Sequence, residues 1–224
     1  MRFTVGAVNV RSGNFVDFDN TTHRIRPEHV IASGSLPPGF PAAEIDGEHY
    51  WDGGIVSNSP LRTVAESRPR RDTLAFQVDL WDARGALPRD LLESDVRQKD
   101  IRFSSRTRAH TDAFRKQQVL RRRVARLLKR LPEELRNDPD VAIIAAEADE
   151  TVYNLIHLIY HARPHEGASK DYEFSRRTMV EHWNAGYEDT ALSLAEPKVL
   201  QRPDSEDGMF ICDLGRRRNE EVER

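Results

Sequence analysis

The sequence predicts an α/β fold, with a strand-rich part up to about residue 81 and a mainly helical part over 82–224 that carries one further strand at 152–161. Three observations lead there. Short β-branched and aromatic runs alternate, or stay apolar, at 3–10, 15–18 and 73–81. Apolar residues then recur at helical spacing across 102–130 and 174–195. Between those helices, Val152–His161 is again rich in apolar residues over a length that suits a buried strand. Sheets and helices in this order bury their apolar faces against each other.

Taken in order, Phe3–Val10 and Phe15–Phe18 read as strands, and Arg11-Ser12-Gly13-Asn14 between them supplies the turn of a hairpin. Pro27–Ser33 reads as a helix, because proline suits the first helical position and Gly34 can close the helix in the left-handed conformation. Leu36–Pro41 contains three prolines and a glycine and is an extended loop around Phe40. Ala43–Ile45 and His49–Trp51 form a small hairpin about Asp46-Gly47. Ser59 then caps, and Pro60 begins, a helix with Leu61, Val64 and Ala65 on its inner face. Thr73–Trp81 is nearly all apolar in its first half, as expected of a centrally buried, parallel strand. Arg102–Arg130 reads as one long basic amphipathic helix ending at Pro132, with Phe114, Leu120, Val124, Leu127, Leu128 and Leu131 as its apolar stripe. Helix continues over Asp140–Glu150, a second long helix spans Phe174–Ala195, and the tail holds one apolar run, Met209–Cys212.

Composition narrows the function classes. A net charge of −3 gives no global attraction to nucleic acid or anionic lipid, so any such attraction is local. The single cysteine, Cys212, excludes an internal disulfide framework and fits a reducing compartment. No signal-peptide pattern follows Met1, and no segment approaches the roughly 20 apolar residues that span a bilayer. The expected location is the cytoplasm, peripheral to the inner membrane if lipid is the substrate.

The candidate chemistry centres on Asp52. It precedes Gly53 and Gly54 where the second hairpin ends, and glycines there permit positive φ and a close backbone approach that leaves the carboxylate at a cleft edge. A plain tight turn is the other reading of those three residues. The flanks separate the two. Ala32-Ser33-Gly34-Ser35-Leu36-Pro37, the proline loop to Pro41, and Tyr50-Trp51-Asp52-Gly53-Gly54-Ile55-Val56-Ser57-Asn58-Ser59-Pro60 resemble the patatin-like phospholipases, a family of serine lipid acyl hydrolases. Lys170–Ser175 and His182–Tyr187 are similar to the C-terminal region of a bacterial branch of that family.

The resemblance implies the C-terminal part of a three-layer α/β/α sandwich with a helical extension that packs back on it. It also implies a Ser-Asp dyad acting on a lipid or acyl ester, with Asp52 as the base, Gly53 and Gly54 shaping the turn, and Ser33 and Asn58 supporting the site. No metal or organic cofactor is required. The family's Gly-x-Ser-x-Gly nucleophile elbow and glycine-rich oxyanion loop, which lie upstream of the Asp-Gly-Gly block, are not in this sequence. Ser33, Ser35 and Ser57 lack the elbow's glycine pattern. Met1 also leads almost directly into a strand. The chain therefore reads as the C-terminal portion of an enzyme, carrying the base without the nucleophile and inactive by itself. Sheet neighbours missing from such a portion would leave an open edge through which the chain self-associates.

The rival reading is a non-catalytic module that uses the basic helix, Arg121, Arg122 and Arg123 above all, to bind an anionic membrane or a partner protein. A solvated helix face and a nucleic-acid patch are the other interpretations of those arginines. Acidic neighbours Glu133, Glu134 and Asp138 favour the solvated face, and nucleic acid is not expected. His157 and His161 lie four apart, which on a helix suggests a metal pair; in a strand they sit about 13 Å apart along one face, too far for one ion. His182 and Trp183 read as packing residues.

Overall fold

The computed structural model describes residues 1–57, 61–104, 107–161 and 173–213, and it divides into two units. In order the elements are β1 (Thr4–Asn9), β2 (Phe15–Asp19), α1 (Pro27–Gly34), β3 (Ala43–Ile45), β4 (Glu48–Asp52), α2 (Leu61–Ala65), β5 (Thr73–Asp79), α3 (Leu91–Phe103), α4 (Thr107–Leu128), α5 (Pro139–Glu147), β6 (Tyr153–Ile159), α6 (Arg176–Ala195) and β7 (Met209–Asp213). The fold is α/β, with a parallel strand pair in the second unit.

The first unit is built on an antiparallel sheet of order β2-β1-β4-β3. Both expected hairpins are present, and the turn between β3 and β4 holds Asp46 at φ 53° and Gly47 at φ 83°, the left-handed pair that matches the twist of the flanking strands. Ala7, Phe18, Ala32 and Ile45 bring β1, β2, α1 and β3 into one core, with Val5, Val16, Ile25, Ala43 and Tyr50 around it. The Phe18 ring meets His29 and Tyr50 edge-on, with centroids 4.6 and 5.3 Å away. Asp19 anchors the hairpin by accepting from Arg2 Nε (2.6 Å), the Thr4 hydroxyl, and the Thr21 N–H (2.8 Å) and hydroxyl. These donors, the Thr21 and Thr4 hydroxyls first, hold its carboxyl well below the usual carboxylate range.

The second unit carries the sheet β5-β6-β7. Strand β6 pairs in parallel with β7, from Tyr153↔Met209 to His157↔Asp213. It is buried on both faces, which explains its apolar run, and Ile156, Val199 and Cys212 form a core beside it. Helix α4 lies against this strand: the Phe114 ring meets Tyr153 edge-on at 4.9 Å, Gln118 Nε2 donates to the Thr151 carbonyl (2.8 Å), and Thr111 Oγ1 pairs with His157 Nε2 (3.1 Å).

The structure corrects several expectations. The helix expected over 102–130 is two helices, α3 and α4, with Ser104 as the C-cap of α3. The buried face of α4 is Thr111, Phe114, Gln118, Arg121 and Ala125, whereas Leu120 and Leu127, expected in the stripe, are 62 and 55% exposed. The hydrogen bonds of Thr111 and Gln118 make polar residues acceptable on that face. Strand β5 ends the described order of its sheet instead of lying centrally, and Leu74, Phe76 and Val78 along one side of it are exposed. The central position belongs to β6. Gly34 closes α1 without a positive φ, since the Ser35 N–H bonds the Ala32 carbonyl directly. The expected cap at Ser59 and Pro60 falls outside the described residues.

Candidate active site

Asp52 is the last residue of β4. Opposite it in the register is Ala7 of β1, and its N–H donates to the Ser35 carbonyl at 3.0 Å, so the end of α1 and the middle of the sheet both fix its backbone. After Asp52 the chain turns at once into a 3-10 turn, Gly53–Ile55. Asp52 caps that turn: Oδ1 accepts from the Gly54 N–H at 2.8 Å. The Val56 and Ser57 N–H groups then close on the Gly53 carbonyl at 3.0 and 2.9 Å.

Neither Gly53 nor Gly54 adopts positive φ, so left-handed freedom is not what this dipeptide supplies. Gly53 is required by close approach. A Cβ there would fall 2.7 Å from the Gly6 carbonyl oxygen and 2.9 Å from the Phe15 ring. Gly6 is itself a glycine for a separate reason, since a Cβ there would run into the Phe15 ring. The contact of the turn with β1 aims the carboxylate, and the N–H of Gly54 holds one of its oxygens.

The Asp52 carboxylate is half-buried. Burial raises its pKa above the ordinary carboxylate value, and the Gly54 N–H pulls it partly back. Among the described residues the Gly54 N–H is its hydrogen-bond donor, and no serine hydroxyl bonds to it. Such a group can take a proton from a hydroxyl nucleophile that approaches the other oxygen.

The other expected site residues divide. Ser33 is half-buried in the last turn of α1. Ser35 is buried, and its hydroxyl donates to the Ile31 carbonyl at 2.8 Å, so its part in the site is the backbone carbonyl that receives Asp52. Ser57 is half-buried one turn beyond Gly53. Asn58 lies outside the described residues. Among the described residues no three metal-ligating side chains come together. His157 is buried against Thr111, and His161 Nδ1 lies 2.8 Å from Asp82.

The arginines of α4 are committed within the second unit. Arg121 is 4% exposed, Arg122 donates to the Glu206 and Glu150 carbonyls at 3.1 and 2.8 Å, and Arg123 pairs with Glu206 at 3.6 Å. No helix of the described residues is long and apolar enough to cross a membrane.

Two family models match the chain. One, described as patatin-like phospholipase, matches residues 2–65, which hold β1 to β4 and Asp52. The other, described as patatin phospholipase, matches residues 101–206. No curated protein matches the chain.

Proposed function

Because the chain belongs to the patatin-like phospholipases, a family of lipid hydrolases, we propose that Asp52 is the general base of a Ser-Asp dyad that cleaves an acyl ester of a lipid. The observation that carries this reading is the Asp52 carboxylate itself. It is half-buried, raised in pKa, oriented through one oxygen by Gly54, and set in a backbone fixed by Ser35 and β1. A base in that state is stronger than a solvated carboxylate and moves towards the working pH, so it couples loss of the serine proton to attack on the ester carbonyl. The proton then passes to the departing alkoxide, and water repeats the sequence on the acyl-enzyme.

The serine of the proposed dyad comes from outside residues 1–224. No two glycines of the chain stand four residues apart, so it has no Gly-x-Ser-x-Gly elbow, and the Ser35 hydroxyl is engaged with the Ile31 carbonyl. Residues 1–224 are thus the base-bearing half of the active site. Purified alone, they should hydrolyse neither a short-chain nitrophenyl ester nor a phospholipid. Turnover that disappears in Asp52→Asn would instead make one of the chain's own serines the nucleophile. Membrane docking through Arg121, Arg122 and Arg123 is less favoured, since the first is buried and the other two are engaged with Glu150 and Glu206.

A further inference from the structure

The second unit gathers three guanidiniums around one carboxylate, remote in chemistry from Asp52. Arg68 Nη2 donates to Glu147 Oε1 at 3.1 Å and Arg70 Nη2 to Glu147 Oε2 at 3.0 Å, while Arg121 Nη2 stands 3.9 Å from the same Oε2. Asp149 is the second acid present. Its Oδ2 lies 3.5 Å from Arg70 Nε, but both of its oxygens already receive the Thr151 hydroxyl, and Oδ1 the Thr151 N–H as well. Among the described residues, three positive charges therefore face two negative ones.

Burial makes this imbalance informative. The Arg70 and Arg121 side chains are 6 and 4% exposed, and Arg70 Nε, Arg121 Nε and Arg121 Nη1 are buried without a hydrogen-bond partner. A buried guanidinium with open donors is costly, and a second guanidinium beside it adds repulsion. Both effects, burial first, lower the proton affinity of Arg121. Glu147 relieves them only in part, because its Oε2 stands 3.9 Å from Arg121 Nη2, beyond hydrogen-bond distance. An anion with three or four acceptor oxygens could serve all three, and guanidinium forks match phosphate in charge and geometry. Glu147 can also yield its place: it is the last residue of α5 and its side chain is 60% exposed.

We propose that Arg68, Arg70 and Arg121 form a binding site for a phosphate group, and that the Glu147 carboxylate occupies it as an internal substitute. A phosphate carried by a lipid headgroup and one free in solution present the same chemistry to these guanidiniums.

Glu147→Gln separates this from a purely structural ion cluster, because it removes the competitor and leaves the three arginines. Titration calorimetry with inorganic phosphate, at ionic strength held constant with sodium chloride, should detect binding to the native chain. Binding should be about tenfold tighter to Glu147→Gln and should fall by about tenfold or more when Arg68→Met is added to that variant. Arg68 is half exposed, whereas Arg70 is buried, so Arg68→Met is the substitution that spares the fold. Co-sedimentation of Glu147→Gln with phosphatidylcholine vesicles containing phosphatidic acid, reversed by free phosphate, would assign the group to a lipid headgroup. Phosphate binding without co-sedimentation would assign it to a soluble phosphate. No phosphate binding by the native chain and Glu147→Gln, or binding that Arg68→Met leaves unchanged, would overturn the site.

Discussion

At the scale of single residues, Asp52 embodies a conflict between stability and use. Burial of its carboxylate raises the pKa and makes the charged form costly to the fold. An asparagine there keeps an oxygen for the Gly54 N–H and sheds that cost. Because the folded-state pKa lies above the ordinary 3.8, the contribution of Asp52 to stability is complete below that value and is lost as pH rises through the raised pKa. Asp52→Asn should accordingly melt at a higher temperature than the native chain at pH 7, and the gap should close as pH falls towards 4; thermal midpoints measured across that range check it. A native chain more stable than Asp52→Asn at neutral pH would mean that the carboxylate is a structural cap. Legibility was uneven even here. Asp52 stood out in the sequence because its flanks are specific, whereas the reason for Gly53 lay in the carbonyl of Gly6, 47 positions earlier, and no local pattern carries a contact of that kind.

At the scale of elements, what could be read depended on whether polar residues were inside. Strands β1 to β4 were legible because turn residues bracket short β-branched runs and the left-handed pair Asp46-Gly47 leaves one economical hairpin. Helix α4 was legible as a helix, but its inner face was not. A hydrophobicity count selects Leu120 and Leu127 and passes over Thr111, Gln118 and Arg121, whose burial depends on partners in other elements: His157 of β6, Thr151, and Glu147 of α5. The same blindness made β5 a central strand. Composition records that a segment is apolar and says nothing of how many strands flank it. The two faces of α4 can be told apart by truncation: Phe114→Ala should cost about 3–5 kcal/mol by chemical denaturation, and Leu120→Ala less than about 1 kcal/mol. Equal costs would mean that the helix is rotated from the orientation described.

At the scale of the whole molecule, the two family matches cover different stretches, and Asp52 lies in the first of them, while Arg68, Arg70 and Arg121, the residues of the proposed phosphate site, belong to the second unit. Under the proposed function this sequence supplies the base of an ester hydrolase and lacks the nucleophile elbow. The central claim is that Asp52 takes the proton of a serine supplied by a Gly-x-Ser-x-Gly segment. Its most direct test is ester hydrolysis by a product extended in frame upstream of Met1 to include such a segment, measured with Asp52 and with Asp52→Asn. Turnover should fall by about 10²–10⁴-fold in kcat on substitution. Hydrolysis by the extended product at an unchanged rate in Asp52→Asn would contradict it.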